Sequence, residues 1–428
     1  MPILHMVQAG DTISSIAEQY QIPVNRLMED NDLTPRDKLN IGQIIIIIYP
    51  KLTYTVKPGD TLYDIAQANG VSIMELLRNN PSLSNRDYLE VGEELIISYD
   101  NKEKKIEING MAFSFINEQI LKKTLPFLTY ITVMGYQVDE QGNLLDIDDT
   151  LIIQMAIDYG VVPLMLVYSL DESRNGTPEV SHVLLNNPEL QDVFMNNIIN
   201  TLRTKGYYGA ICGFQYILEE DLPKYTAFIK YASMRLQEAG FLCGSVLLPS
   251  TFGYVEGQPI SHSYFAEIGQ VNDGVILLTY QWATGYVPEL NQTAYSYLKE
   301  YLDAVVAQIP PEKIYLGISR IAYEWELPYV ENESVATSLT TPRALALASQ
   351  YNSEILFDEL TQFSYFFYNF ADVDHVVWFR DARYANAMLR LVDEYGIGGI
   401  SVWNIMIYYT IWVLINSQYD IQKLLPVE

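Results

Sequence analysis

The chain has 428 residues, 49% of them hydrophobic and 18% charged, the composition of a globular rather than a disordered protein, and its length leaves room for one large domain with small modules beside it. Against 26 basic residues stand 53 acidic ones, a net charge of −27 that repels nucleic acid and anionic lipid and suits a neutral or cationic partner, a neutral sugar chain included. Two cysteines, Cys212 and Cys243, make no disulfide framework and point to a reducing site of synthesis, and the scattered His5, His182, His262 and His375 show no metal-ligand spacing, so neither metal nor cofactor is expected.

The first residues, Met1 to Val7, lack the basic start and apolar stretch of a secretory signal. The longest apolar run, Ile400 to Ile415, is broken by Ser401, Asn404 and Thr410 and falls short of the ~20 residues a membrane-spanning helix needs. Membrane insertion and signal-directed export are therefore not expected.

An internal repeat occupies the first hundred residues. Val7-Gln-Ala-Gly-Asp-Thr-Ile-Ser-Ser-Ile-Ala17 matches Val56-Lys-Pro-Gly-Asp-Thr-Leu-Tyr-Asp-Ile-Ala66, and the match continues through Asn31 with Asn80, Arg36 and Asp37 with Arg86 and Asp87, Leu39 with Leu89 and Gly42 with Gly92. Each unit reads strand, helix, helix, strand, with Ile44 to Ile48 and Glu94 to Ile97 as closing strands. Gly10-Asp11-Thr12 and Gly59-Asp60-Thr61 form the turns into the first helices, where a Thr or Asp side chain can cap free N–H groups. Units are predicted at 1–50 and 53–100, followed by a charged linker at 101–105.

From residue 106 to 428 strands and helices alternate with the rhythm of a (β/α)8 barrel. Strands are predicted at Ile108–Phe115, Tyr130–Gly135, Val162–Val167, Tyr208–Gln215, Leu242–Leu247, Gly274–Tyr280, Ile314–Ile318 and Gly399–Trp403. The gap between the last two is too long for one helix and predicts a small α+β insertion at about 323–376.

The repeat resembles the LysM domain, whose members bind N-acetylglucosamine-containing glycans, peptidoglycan or chitin. The resemblance places sugar between two loops of each unit: Gly10, Asp11, Thr12 and Ile13 with Leu39 to Ile41, and Gly59, Asp60, Thr61 and Leu62 with Leu89 to Val91. Alternatively the Asp and Thr side chains serve only the helix ends.

The barrel region resembles glycoside hydrolase family 18, whose fourth strand carries Asp-Gly-x-x-x-Asp-x-Glu, often with another acid or Asn between. The positions here are Tyr208, Gly213 and Gln215, with Ile211 between. Pro310 to Ile318, His375 to Arg383 and Glu394 to Trp403 resemble the spore-cortex N-acetylglucosaminidases of endospore-forming bacteria, which carry two amino-terminal LysM modules and are made without a signal peptide in the mother cell. The resemblance implies location in the spore envelope, with peptidoglycan or N-acetylglucosamine oligomers, and other envelope proteins or further copies of the chain, as partners.

The family's chemistry uses the substrate's acetamido oxygen as nucleophile, a Glu to protonate the leaving oxygen and an Asp two residues earlier to orient the acetamido group. Gln215 has no acidic proton to give and Gly213 no charge. On the sixth strand Gln281 stands where the family has an acid, beside Tyr280, which resembles the acetamido-binding tyrosine, while Trp403 resembles the floor of the sugar site. Glu219, Glu220, Asp221 and Glu324 are the remaining acids near strand ends, and solvated loop charge is the default for all four. A non-catalytic glycan-binding protein is the expectation, with an active hydrolase using another acid, or a self-assembling scaffold whose groove Tyr208 partly fills, as alternatives.

Overall fold

Apolar runs with no polar face form strands that must be covered on both sides. Eight of them, in a structure that is a computed structural model describing residues 2–100, 104–168, 179–214, 217–247, 263–279, 295–330 and 333–426, close into a barrel. They are β5 (Lys105–Phe113), β6 (Tyr130–Gln137), β7 (Val162–Tyr168), β8 (Gly209–Cys212), β9 (Leu242–Leu247), β10 (Gly274–Leu277), β11 (Ile314–Ser319) and β17 (Gly399–Trp403). All neighbours are parallel, and β17 closes on β5 with Trp403 opposite Met111. The fourth strand is shorter than its predicted span: ladder pairing stops at Cys212. Residues 101–103 of the linker lie outside the described residues.

The barrel helices are α5 (Glu118–Thr124), α6 (Thr150–Asp158), α7 (Glu179–Leu185), α8 (Pro188–Lys205), α9 (Leu222–Glu238), α10 (Ser263–Val271), α11 (Tyr295–Val306) and α13 (Ala382–Tyr395). Local signals fix their ends. The Asn187 side chain accepts the Leu190 N–H, Pro188 opens α8, and Gly206 closes it at φ 85°, a conformation that suits glycine.

Between β11 and β17 lies an antiparallel sheet of β12 (Ile321–Leu327), β13 (Thr337–Thr340), β14 (Leu356–Asp358), β15 (Phe363–Phe370) and β16 (Val373–Phe379), with α12 (Thr341–Tyr351) over one face. It extends past the predicted insertion at both ends, because pairing continues to Ile321 opposite Thr340 and Phe379 opposite Ser364. After β17 the chain forms α14 (Ile411–Asn416) and β18 (Asp420–Ile421), which pairs with β5. Among the described residues no helix is long and apolar enough to cross a membrane.

The first unit comprises β1 (Ile3–Met6), α1 (Ile13–Tyr20), α2 (Val24–Asp30) and β2 (Ile44–Ile47); the second comprises β3 (Pro50–Thr55), α3 (Leu62–Asn69), α4 (Ile73–Asn79) and β4 (Glu94–Tyr99). The matched asparagines clasp the second helix to the closing strand in both. Asn31 bonds Leu27 O, Ile46 O and Ile46 N, and Asn80 bonds Leu76 O, Ile96 O and Ile96 N, all within 2.7–2.9 Å.

Candidate functional site

Because strand side chains alternate, Ile211 and Gly213 point into the barrel while Cys212 and Phe214 point out toward the helices. The inward positions form layers. Glu107, Tyr130 and Tyr315 lie at the amino end, where Tyr315 donates its hydroxyl to Glu107 and a cavity of about 70 Å3 opens beside Gly244 and Gly274. Above them Asn109 donates to Ser401 Oγ at 2.9 Å and accepts from Thr132 Oγ1 at 2.8 Å. The next layer is apolar: Met111, Met134, Leu166, Ile211, Val246, Ile276 and Leu278 are all buried, and Ile211 is only 3% exposed. None of these seven ionises.

Gly213 follows directly, held by its N–H to Val167 O at 2.9 Å. A Cβ built there would lie 2.8 Å from Leu166 Cδ1. Leu166 therefore takes the space into which a side chain at 213 would project, and only its displacement would admit one. Trp403 ends β17, partly exposed against this layer, and joins Asn404 through a cis peptide bond.

The turns of the two repeats are built alike. Thr12 Oγ1 accepts Ser15 N–H at 3.0 Å and Thr61 Oγ1 accepts Asp64 N–H at 3.1 Å, so the threonines cap α1 and α3. The aspartates brace the loop instead. Asp11 Oδ2 accepts Gln8 N–H at 2.7 Å and faces His5 Nε2 at 3.1 Å, while Asp60 Oδ2 accepts Lys57 N–H at 2.8 Å and the Tyr54 hydroxyl at 2.9 Å. Those backbone bonds, followed by the His5 and Tyr54 bonds, hold both carboxyls below the usual carboxylate range.

The Glycosyl hydrolases family 18 model matches residues 175–406, more than half of the chain, and the LysM domain model matches residues 5–47 and 54–98. The chain belongs to glycosyl hydrolases family 18. Its two amino-terminal units are LysM domains. Among curated proteins it is 30% identical to the Cortical fragment-lytic enzyme of Bacillus anthracis, over 97% of this chain and 98% of that one, and 26% identical to the Putative sporulation-specific glycosylase YdhD of Bacillus subtilis (strain 168), over 95% and 96%. Among solved structures, the Bacillus cereus spore cortex-lytic enzyme SleL superposes with a TM-score of 0.80 at 28% identity, covering 99% of both chains.

Against the family-18 pattern, the structure brings Ile211 and Gly213 together with Trp403 at one end of the barrel and separates Tyr208 from them. Tyr208 precedes β8 and pairs its N–H with Pro163 O at the opposite end, its side chain 40% exposed. Gly213 lies five residue steps of extended chain, ~16 Å, further along, so Tyr208 does not fill the groove. Gln215, Tyr280, Gln281 and the side chain of Glu219 lie outside the described residues.

Two of the four spare acids are not solvated loop charge. Asp221 is buried, and although burial raises its carboxyl, bonds from His182 at 2.5 Å, Asn186 at 3.0 Å and Lys224 at 3.2 Å hold it low. His182, Glu220 and Asp221 place donor atoms within 4.8 Å of one another, a possible metal set that residue spacing did not suggest, but the Lys224 ammonium already meets the Asp221 charge. Glu324 sits under α12, where it accepts the Tyr368 hydroxyl and lies 3.0 Å from His375 Nδ1. That is the sheet face opposite Tyr323 and Trp378, which decides against Glu324 as a substitute acid at the barrel mouth. Glu220 is exposed.

Proposed function

We propose that this chain binds peptidoglycan of the spore envelope through its LysM domains and carries a family-18 barrel that does not hydrolyse it. The observation that carries the reading is the apolar layer. Where the family pattern has acids, Ile211 is buried among methionines and leucines, and Leu166 lies over Gly213. An ionised carboxylate in that layer is strongly disfavoured without a partner. Gln215 supports the same reading, since an amide supplies no proton, and loss of a general acid alone costs about 10²–10⁴ in rate. The spore location rests on the names of the relatives, cortex-lytic and sporulation-specific proteins of Bacillus.

Those same names favour a second reading, a lytic enzyme that takes its proton from another acid; Glu219 and Glu220, just beyond β8, are its candidates.

The test is an assay of the full chain on cortex fragments and N-acetylglucosamine oligomers. The expected outcome is no product release from the unaltered protein, with retention on insoluble peptidoglycan that salt hardly weakens, as for a mostly neutral ligand. Restoring Gly213→Asp, Gln215→Glu and Gln281→Asp together is expected to recover at most a trace of activity, because Leu166 Cδ1 must swing aside to admit the new side chain, and more once Leu166→Ala makes room. Hydrolysis by the unaltered protein that Glu219→Gln or Glu220→Gln abolishes would establish the second reading instead.

A further inference from the structure

A second cavity, of about 580 Å3, lies outside the barrel mouth, enclosed by the first LysM domain, α12 and the segments that follow β11, β16 and β17. Its wall holds two buried arginines. Arg320 is 9% exposed and donates to the carbonyls of Asn404 at 3.3 Å, Ile407 and Tyr408 at 3.0 Å, with the Tyr409 ring 4.4 Å away. Arg380 is 3% exposed, donates to Ile321 O at 2.8 Å and lies over the Phe363 and Tyr384 rings at 4.5 and 5.5 Å.

Neither guanidinium forms an ion pair with a carboxylate among the described residues. The one acid of the wall adjacent in sequence, Asp381, is held by Ser364 Oγ at 2.6 Å and Arg383 at 2.7 and 3.0 Å. Carbonyl oxygens satisfy hydrogens but carry no full charge, and burial lowers the Arg320 guanidinium to about 10. Nε of both arginines and the hydroxyls of Tyr408 and Tyr409, four buried groups of the same wall, have no protein hydrogen-bond partner among the described residues. Two helix amino ends also reach this wall, α12 at Thr341, capped by the Thr340 hydroxyl, and α13 at Ala382, capped by the Asp381 carboxylate; the wall's other acids are Asp32, bonded by Lys123, and Asp37, bonded by the Thr34 N–H.

Two buried guanidinium groups that no carboxylate pairs among the described residues, each with Nε unpartnered, constitute an incomplete electrostatic arrangement. We propose that this cleft binds an oxyanion-bearing ligand, a carboxylate or phosphate group seated against Arg320 and Arg380. Guanidinium groups recognise both anions through the same paired N–H geometry. Among the described residues, none that the family-18 pattern assigns to sugar lines this cleft, and the proposal does not depend on whether the barrel hydrolyses glycans.

The experiment titrates the full chain with citrate and, separately, with inorganic phosphate, following heat of binding and thermal stability against chloride at equal ionic strength. The expected result is saturable binding of at least one of the two, with an apparent unfolding temperature that rises with its concentration. The citrate and phosphate arms tell the carboxylate from the phosphate source. Arg380→Met is expected to weaken binding at least about tenfold, the loss that goes with one charge-assisted hydrogen bond. Because Arg320 also anchors three carbonyls, its place is tested by Ala346→Glu, an exposed position of α12 on the cleft wall. The added carboxylate is expected to raise the unfolding temperature without ligand and to abolish the response to oxyanion. No binding beyond chloride, or binding that both variants leave unchanged, overturns the proposal.

Discussion

The two LysM domains share a motif, a clasp and a pair of turns, yet they meet the rest of the molecule in opposite ways. The first docks by the loop before its closing strand. Ile41 O accepts the Ile355 N–H at 2.9 Å, Asn40 Nδ2 donates to Leu345 O at 3.1 Å, and Lys38 Nζ donates to Asn352 Oδ1 at 2.9 Å. The second docks by its back, where Asn79 Oδ1 accepts from Asn416 Nδ2 at 2.8 Å and Arg78 lies 3.7 Å from Asp420. Its loop before the closing strand stays open, with Val91 65% exposed. Equivalent residues thus hold unequal positions: the loop that the LysM pattern assigns to sugar is partly committed to protein contacts in one domain and free in the other. Duplication supplied two copies of a surface, and only the second remains fully available to a ligand.

The sharpest test of that contrast is a pair of glycines. Gly42 has φ +83° and a Cβ there would stand 1.9 Å from Ile355 O, whereas Gly92 has φ +91° and nothing within 4 Å. Both positions disfavour a side chain by their backbone alone, at about 1–2 kcal/mol. Gly42→Ala adds a collision with backbone that no rotamer relieves, and is expected to cost about 2–5 kcal/mol in total and to loosen the first domain from the insertion. Denaturant unfolding of the full chain, with proteolysis at the Ile48-Tyr49 connection between β2 and β3 as a local probe, is the measurement. Equal losses from Gly42→Ala and Gly92→Ala would mean that the docking contributes nothing.

A smaller effect is expected in glycan retention. Val91→Asp and Ile41→Asp place the same charge at equivalent, exposed positions, so neither should disturb folding. If the second domain supplies the open groove, Val91→Asp reduces binding to insoluble peptidoglycan about tenfold, the order expected for losing one well-buried apolar contact with the ligand. Ile41→Asp then has an effect of less than about threefold, within the spread of surface substitutions. The reverse order would assign the glycan to the first domain and its junction with the insertion.

Much of this architecture was legible in the order of residues. Eight apolar runs separated by capped helices placed every barrel strand, since buried parallel strands need continuous apolar sequence, and the Gly-Asp-Thr turns declared the repeat. The proposed site rests on what the order of residues lacks at Gly213 and Gln215, of which the described residues include only Gly213. Contacts between segments distant in sequence were not. Nothing local says that Leu166 lies over Gly213, that Asp221 is buried beneath His182 and Lys224, or that Glu324 turns toward α12. Arg320 and Arg380 were overlooked for a related reason: arginine is usually a surface residue, and only the folded chain reveals that these two are enclosed.

The finest distinction between the domains is the partner each turn aspartate has chosen. Asp11 is braced by the Gln8 N–H and then by His5; Asp60 is braced by the Lys57 N–H and then by the Tyr54 hydroxyl, whose own ionisation the Asp60 contact shifts upward. Both carboxyls are depressed in the folded chain, so the stability each contributes is present above the unfolded value of about 3.9 and is lost as pH falls through the lower folded value. Asp60→Asn is therefore expected to lower the unfolding temperature slightly at pH 7, by about 1 °C or less because the carboxylate is at the surface. The difference from the unaltered protein should shrink as pH falls below about 3.9 and vanish only once pH has passed through the lower folded value. Asp11→Asn should show the same acid limit, since its carboxyl is likewise depressed, first by the Gln8 N–H and then by the His5 bond. Thermal unfolding of both variants at pH 7 and along a descending acid series to about pH 2 measures it. A penalty for Asp60→Asn that persists undiminished at acid pH would show that hydrogen-bond geometry, and not the charge of the carboxylate, holds the turn.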